Sequence, residues 1–147
     1  MHIKTHPPVT VLYSSHRATL KELNQLQPVV KELYSEAANN AFISGPLYWI
    51  YHGADGKPDT EFTLEIALPI LGNYSAGKFS TRQLNPFKAV TYRYEGSYDR
   101  IYAGYHEIMQ YIDDHKIPIN EESRELYLNV DFEQPENCIT EIQVGTL

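Results

Sequence analysis

The sequence predicts an α+β fold of two tandem βαββ units related by a pseudo-two-fold axis, with antiparallel strands and both helices on one side. Strand-like and helix-like stretches recur in the same order in the two halves of the 147-residue chain. Residues 62–69 (FTLEIALP) and 138–145 (CITEIQVG) also share one pattern, which places Glu65 and Glu141 76 positions apart (65 to 141). We therefore expect a ligand cleft between the halves, because sites often form where two packed units meet.

The first unit is predicted to span residues 9–70. Residues 9–13 (VTVLY) are dense in β-forming side chains and predict the first strand. Between residues 21 and 40, apolar side chains recur every three or four positions, which indicates a helix. Pro28 is expected to begin the main helix in its first turn, after a short helical turn.

Two further strands complete this unit. Residues 47–52 (LYWIYH) and 60–70 are strongly β-prone, and residues 53–59 (GADGKPD) between them have the composition of a hairpin turn. Residues 72–86 show no clear period, and we interpret them as the connector between the units.

The second unit, residues 88–146, repeats the plan. Residues 98–115 form the clearest helical pattern in the chain, and Ser97 is placed to cap its first turn. The remaining segments of this unit are predicted as strands: residues 89–94, 125–130 and 138–145. At this length, residues 1–147 suffice for a single domain with its own core.

Composition excludes several classes of function. The net charge of −7 opposes a nucleic-acid surface, which needs clustered lysine and arginine. No apolar run is long enough to cross a membrane, and Cys138 is the only cysteine, so an internal disulfide is excluded. Six scattered histidines offer no metal-ligand spacing. We expect a cytoplasmic protein with no cofactor, no metal, no membrane partner and no direct contact with nucleic acid.

The two repeated glutamates are the leading candidates for a site. Strand alternation sends Glu65 and Glu141 away from the apolar face of their strands. A carboxylate held in a cleft suits either a counter-ion or a general base; the alternative for Glu141 is a structural carboxylate whose hydrogen bonds are satisfied by a neighbouring tyrosine or arginine. Aromatic side chains beside it would favour a flat cation. The candidate ligand-binding residues are Glu141, Glu65, Tyr127, Tyr48, Tyr94 and Trp49.

Three segments resemble a known family. Residues 45–52 (GPLYWIYH), 92–112 (YRYEGSYDRIYAGYHEIMQYI) and 137–144 (NCITEIQV) together resemble the GyrI-like small-molecule-binding domain, in the same order and over nearly the whole chain. The resemblance implies the duplicated βαββ fold. It also implies a relation to the effector-binding domains of bacterial multidrug-sensing transcription regulators, in which an acidic residue in an aromatic cleft receives lipophilic, often cationic compounds. The glutamate of the family's last strand corresponds to Glu141.

Three functions follow from this resemblance and stay open at this point. The first is stand-alone binding of lipophilic, cationic small molecules, with Glu141 as the anchor. The second is hydrolysis of electrophilic toxins, in which Glu141 would be the catalytic residue. The third is a gyrase-inhibitor-like module that binds a protein partner through its acidic surface. The chain ends in VGTL, where the family commonly has a proline, and it leaves no room for a helix-turn-helix module.

Overall fold

A computed structural model describes residues 1–72, 74 and 77–147 of the chain. Three short 3-10 helices, Leu20–Leu26, Tyr98–Arg100 and Pro135–Asn137, accompany the main elements. Those elements are β1 (His2–His6), β2 (Val9–Ala18), α1 (Gln27–Asn40), β3 (Phe42–Ile43), β4 (Tyr48–His52), β5 (Phe62–Leu71), β6 (Ser80–Leu84), β7 (Phe87–Glu95), α2 (Ile101–Asp114), β8 (Ile119–Asn129) and β9 (Ile139–Thr146). No helix in the described part of the chain is long and apolar enough to cross a membrane.

The strands form one curled antiparallel sheet, a half-barrel with the order β1-β7-β9-β8-β4-β5-β2-β6, and β3 pairs with β5. The two units meet where β8 pairs with β4. On one side of this junction the second unit contributes β8, β9 and β7, and on the other side the first unit contributes the equivalent strands β4, β5 and β2 in the same order. Glu65 pairs with Ile50, and Glu141 pairs with Leu126, so the 76-residue offset holds across both hairpins. The predicted fold class is therefore confirmed, with both glutamates on the same face of the sheet.

Both helices cover the other face of the sheet. Leu33 and Ala37 of α1 are buried in one core cluster with side chains of β2, β4 and β5. Ile108 and Ile112 of α2 are buried in a second cluster with side chains of β7 and β9. Burial of these apolar side chains holds the helices on the sheet. We call this side the helix face and the opposite, inward-curling side the inner face.

Helix α2 lies unusually close to the sheet at Gly104. A Cβ atom at this position would lie 3.0 Å from Cδ1 of Ile142 and 3.1 Å from Cδ1 of Tyr94, which is tighter than ordinary packing contacts. Gly104 therefore sets the depth at which the neighbouring Tyr105 approaches the strands.

The structure extends several strands that the sequence places only in part. The residues predicted as a turn after position 13 continue β2 to Ala18, because they pair with β5. The predicted connector, residues 72–86, contains β6, and β1 lies in the segment that precedes the first unit. Strand β8 begins at Ile119, within a predicted loop. These segments are largely polar, and β1 and β6 are the two edge strands of the sheet, so they lack the apolar alternation that marks a half-buried strand.

The helix boundaries agree closely with the sequence. Pro28 lies in the first turn of α1 after a 3-10 segment, as predicted. The helical stretch predicted from residue 98 begins with a 3-10 turn, and the Ser97 hydroxyl accepts a hydrogen bond from the Asp99 backbone N–H. The helix-forming pattern and its cap were therefore readable from local sequence.

Candidate functional site

The six predicted site residues lie on two faces of the sheet. Glu65, Glu141 and Tyr48 point to the inner face, whereas Trp49 and Tyr127 point to the helix face. The reason is the register of β8, in which Glu125 pairs with Trp49 and Leu126 pairs with Tyr48. The structure therefore does not bring the six residues together in one cleft.

Glu141 is partly buried and lies apart from Tyr127, Tyr94 and Trp49. Its Oε2 accepts a hydrogen bond of 2.6 Å from Nε2 of Gln143, and its cross-strand neighbours are Arg93 and Leu126. Tyr48 shares the inner face, where burial raises the pKa of its phenol. Trp49, Tyr94 and Tyr127 therefore do not line a cleft with Glu141, because strand alternation sends Glu141 and these helix-face rings to opposite sides.

Glu65 is a buried carboxylate that is bonded to an arginine and a histidine. Nη2 of Arg82 donates to both carboxylate oxygens at 2.7 Å, and Nε2 of His52 lies 2.6 Å from Oε1. Burial alone would raise the pKa of Glu65, but the hydrogen bonds with His52 and Arg82 hold that pKa below its usual value. Glu65 is thus neutralised by the protein itself.

Tyr94 and Trp49 are core residues of the helix face. The Tyr94 hydroxyl donates to the Ser97 backbone oxygen at 2.7 Å, and its ring packs against Gly104. Trp49 is only 4% exposed and meets Tyr127 edge to face, with ring centroids 6.2 Å apart. Of these two, Trp49 borders the aromatic cluster described next.

A different glutamate, Glu125 of β8, lies in an aromatic cluster on the helix face and is only 3% exposed. The hydroxyls of Tyr51, Tyr98 and Tyr127 donate to its Oε1 at 3.2, 3.0 and 2.6 Å, and the hydroxyl of Tyr105 donates to Oε2 at 2.5 Å. Four phenols thus converge on one carboxylate. We call these five residues the Glu125 cage.

The cage is assembled from elements of both units. Tyr51 comes from β4, Tyr127 from β8, and Tyr98 and Tyr105 from the start and body of the second helical segment. Tyr98 is 38% exposed and forms the outer edge of the cage. The cage therefore lies at the junction of the two units, where a ligand cleft is expected from the fold.

The sequence does not single out Glu125, because the alternating Leu126, Leu128 and Val130 are the side chains expected to face the core. Leu126 faces the inner side of the half-barrel, and Leu128 is exposed. The repeat makes Tyr127 the equivalent of Tyr51, 76 positions earlier, and both side chains point to the helix face. Glu125 and Tyr127 are two positions apart on one strand, so their side chains point to the same face, and this spacing was the signal in the sequence that could have paired them.

The electrostatics of the cage favour the neutral form of Glu125. Burial raises the pKa of Glu125, and the hydrogen bonds from the four tyrosines oppose this only in part. Burial and the nearby carboxylate also raise the pKa of Tyr51, Tyr105 and Tyr127. Within the described residues, no lysine, arginine or histidine forms an ion pair with Glu125. Its charge has phenol partners but no cation.

Glu125→Gln is expected to raise the melting temperature at pH 8 and to have little effect at pH 4. The pKa of Glu125 is higher in the folded protein than its usual value of 4.5, so the folded state binds this proton more tightly than the unfolded state does. The stability of the unmodified protein therefore falls as the pH rises from 4.5 through the raised pKa. Glutamine does not titrate. Calorimetry from pH 4 to 8 measures the difference, with the exposed Glu133→Gln as control; a difference independent of pH contradicts a raised pKa.

No group of three or more potential metal ligands occurs within the described residues.

The family model of the GyrI-like small-molecule-binding domain matches residues 1–145. The chain belongs to this GyrI-like family. No curated protein matches the chain in sequence.

Three solved structures show the same fold at low sequence identity. The C-terminal domain of EcmrR has a TM-score of 0.81 at 18% identity, over 99% of this chain and 96% of that one. SAV2435 bound to tetraphenylphosphonium has a TM-score of 0.69 at 17% identity, with 99% and 93% covered. A hydrolase from Listeria innocua has a TM-score of 0.73 at 12% identity, with 99% and 91% covered. The GyrI-like chain spans 57% of the EcmrR chain in its DNA complex.

Proposed function

We propose that this GyrI-like domain binds lipophilic cations on the helix face, with Glu125 as the counter-charge. The observation that carries the proposal is a carboxylate only 3% exposed that is held by four phenols and paired with no cation in the described part of the chain. Transferring a charge from water to the protein interior without an opposite charge beside it costs on the order of several kcal/mol of free energy. A bound cation would offset this penalty.

The aromatic side chains of the cage fit the same class of ligand. Phenol and indole faces attract cations, at roughly 0.5–2 kcal/mol for each well-placed ring. Trp49, Tyr98 and Tyr127 form successive edge-to-face contacts beside the carboxylate. Tyr98, the most exposed member, is where a ligand would enter. Tetraphenylphosphonium, which SAV2435 binds, combines a delocalised positive charge with apolar rings and is a suitable probe.

We expect tetraphenylphosphonium to bind saturably and at least about tenfold more tightly than triphenylphosphine oxide, its neutral relative, at pH 7.5. Binding of the cation needs ionised Glu125, so its affinity should fall as the pH is lowered from 8 to 5. Isothermal titration calorimetry at several pH values measures both trends, and the neutral compound is the control. Equal affinity for the two compounds, or no binding of either, contradicts the proposal.

A second candidate function is hydrolysis of an electrophilic ligand at the same carboxylate. The raised pKa of Glu125 supports it, since raising the pKa of a carboxyl group above its ordinary value brings it closer to the range that suits general acid–base catalysis. The shared fold with a hydrolase from Listeria innocua is compatible with this role. Incubation with an epoxide and mass spectrometry of the recovered compound separate the two: an unchanged compound supports a binding protein, and a diol supports a hydrolase.

A further inference from the structure

The inner face of the half-barrel carries an open cavity, on the side of the sheet opposite to the Glu125 cage. Its volume is about 460 Å³, within the range of about 300–1,000 Å³ that is typical of small-molecule sites. Strands β2, β4, β5, β6 and β8 and the start of β7 contribute to its wall. The cavity therefore draws on both units, as the cage does, but shares none of the cage residues.

Five ionisable side chains form a continuous chain along this cavity: Arg82, Glu65, His52, Glu122 and Arg124. Arg82 and His52 both bond Glu65, as described above. Nδ1 of His52 lies 3.7 Å from Oε1 of Glu122, and Oε2 of Glu122 accepts from Nε and Nη2 of Arg124 at 2.7 and 2.6 Å. Positive and negative groups thus alternate from one end to the other.

Some N–H groups of Arg82 and Arg124 have no hydrogen-bond acceptor in this row of ionisable side chains. Both oxygens of Glu65 and Oε2 of Glu122 already accept hydrogen bonds from the cationic groups. Nε of Arg82 is buried and has no acceptor among the described residues. Nη1 of Arg82 and Nη1 of Arg124 also form no hydrogen bond within the described part of the chain. A buried donor without a partner is costly, so the cavity favours a ligand rich in acceptor oxygens.

Aromatic rings hold the two guanidinium groups in place. The guanidinium carbon of Arg124 lies 3.8 Å from the ring centroid of Phe87, and that of Arg82 lies 5.2 Å from the ring centroid of Tyr13. Arg124 is at the base of the cavity with 8% of its side chain exposed, and Arg82 is at the mouth with 37% exposed. Such stacked, pre-ordered guanidinium groups lose little freedom when they bind an anion.

We propose that this cavity is a second ligand site that takes a small organic anion bearing a carboxylate or phosphate group. The guanidinium fork of arginine matches the two oxygens of either group. Phe87, Tyr13 and Pro86 offer apolar surface to the rest of the ligand. The proposal does not depend on ligand binding at the Glu125 cage, because the two sites lie on opposite faces and prefer opposite charges.

The charge of the site depends on His52. The two arginines and the two glutamates cancel, so a protonated His52 makes the site positive. The hydrogen bond with Glu65 raises the pKa of His52, burial opposes this, and the charge of Glu122 adds to the rise while that of Arg82 opposes it. Arg124 of β8 and the polar groups of Tyr13 and Ser15 on β2 complete the surroundings of the cavity. Anion binding should therefore be tighter at pH 6 than at pH 8.

The test is a titration with benzoate and with phenyl phosphate at low ionic strength, followed by ¹H–¹⁵N NMR at pH 6 and pH 8. We expect saturable shifts confined to residues around the inner cavity, and the tighter of the two compounds identifies the anionic group. Arg82→Gln should weaken binding at least tenfold. Arg93→Gln, which removes an exposed arginine paired with Glu95, should change it less than twofold.

Two outcomes would overturn the proposal: no saturable shift at pH 6, or shifts that map to the Glu125 cage. Equal weakening by Arg82→Gln and Arg93→Gln would also overturn it, because it would indicate only a response to overall charge. The dispersion of the ¹H–¹⁵N spectrum reports whether Arg82→Gln retains the fold. If that variant fails to fold, His52→Gln decides: it should remove the pH dependence of benzoate binding, and an unchanged pH dependence for benzoate contradicts the site.

Discussion

Glu125→Gln is expected to weaken the binding of tetraphenylphosphonium by about tenfold or more at pH 7.5, with little change for triphenylphosphine oxide. The substitution keeps the shape of the side chain and removes its charge. Interactions with charged groups contribute roughly 1.5–3 kcal/mol, and about 1.4 kcal/mol corresponds to a tenfold change in affinity. Isothermal titration calorimetry of both compounds with both proteins gives the four affinities that the comparison needs.

Glu141→Gln is the matched control for this experiment. Glu141 occupies the position that the sequence favoured, but it lies on the inner face and is bonded to Gln143. The same chemical change there should leave the affinity for the cation unchanged within about twofold. If Glu141→Gln weakens the binding of tetraphenylphosphonium and Glu125→Gln does not, the binding site is the one predicted from the sequence and our assignment of the cage is wrong.

Gly104→Val is expected to lower the free energy of unfolding by about 1–3 kcal/mol, the usual range for overpacking a close contact. The added side chain would collide with Ile142 and Tyr94, which already lie at the limit of contact. For a chain of this size, each kcal/mol corresponds to about 2–4 °C in melting temperature. Because Tyr105 follows Gly104 on α2, outward movement of the helix should also weaken the binding of tetraphenylphosphonium.

Ala103→Val is the control, since Ala103 is the exposed neighbour on the same helix and receives the same β-branched side chain. Its effect should stay within a few tenths of a kcal/mol, in line with helix propensity alone. Denaturant unfolding of the two variants measures the difference. Similar losses for both would show that α2 tolerates a side chain at Gly104 and that close packing there is unimportant.

Most of the fold was predictable because its signals are local. Pro28 and Ser97 mark helix starts through their own backbone preferences, and the helical spacing of residues 98–115 needs no knowledge of other elements. Strand β6 was not predictable in this way, since a polar segment such as STRQL becomes a strand only when β2 supplies its hydrogen bonds. The same segment carries Arg82, so the inner cavity was hidden with it.

The sequence by itself determined the duplicated order of elements, the equivalence of Glu65 and Glu141, and the family. Only the tertiary structure decided which glutamate meets the tyrosines. Side chains alternate along a strand, so a change of one residue in the assumed parity of β8 exchanges Leu126 for Glu125 on the helix face. Moreover, burial of Glu125 is acceptable only because hydroxyl donors arrive from as far away as Tyr51, 74 positions earlier in the chain. Contacts between residues so far apart in the sequence depend on how whole strands and helices pack together, and local sequence patterns carry no information about that packing.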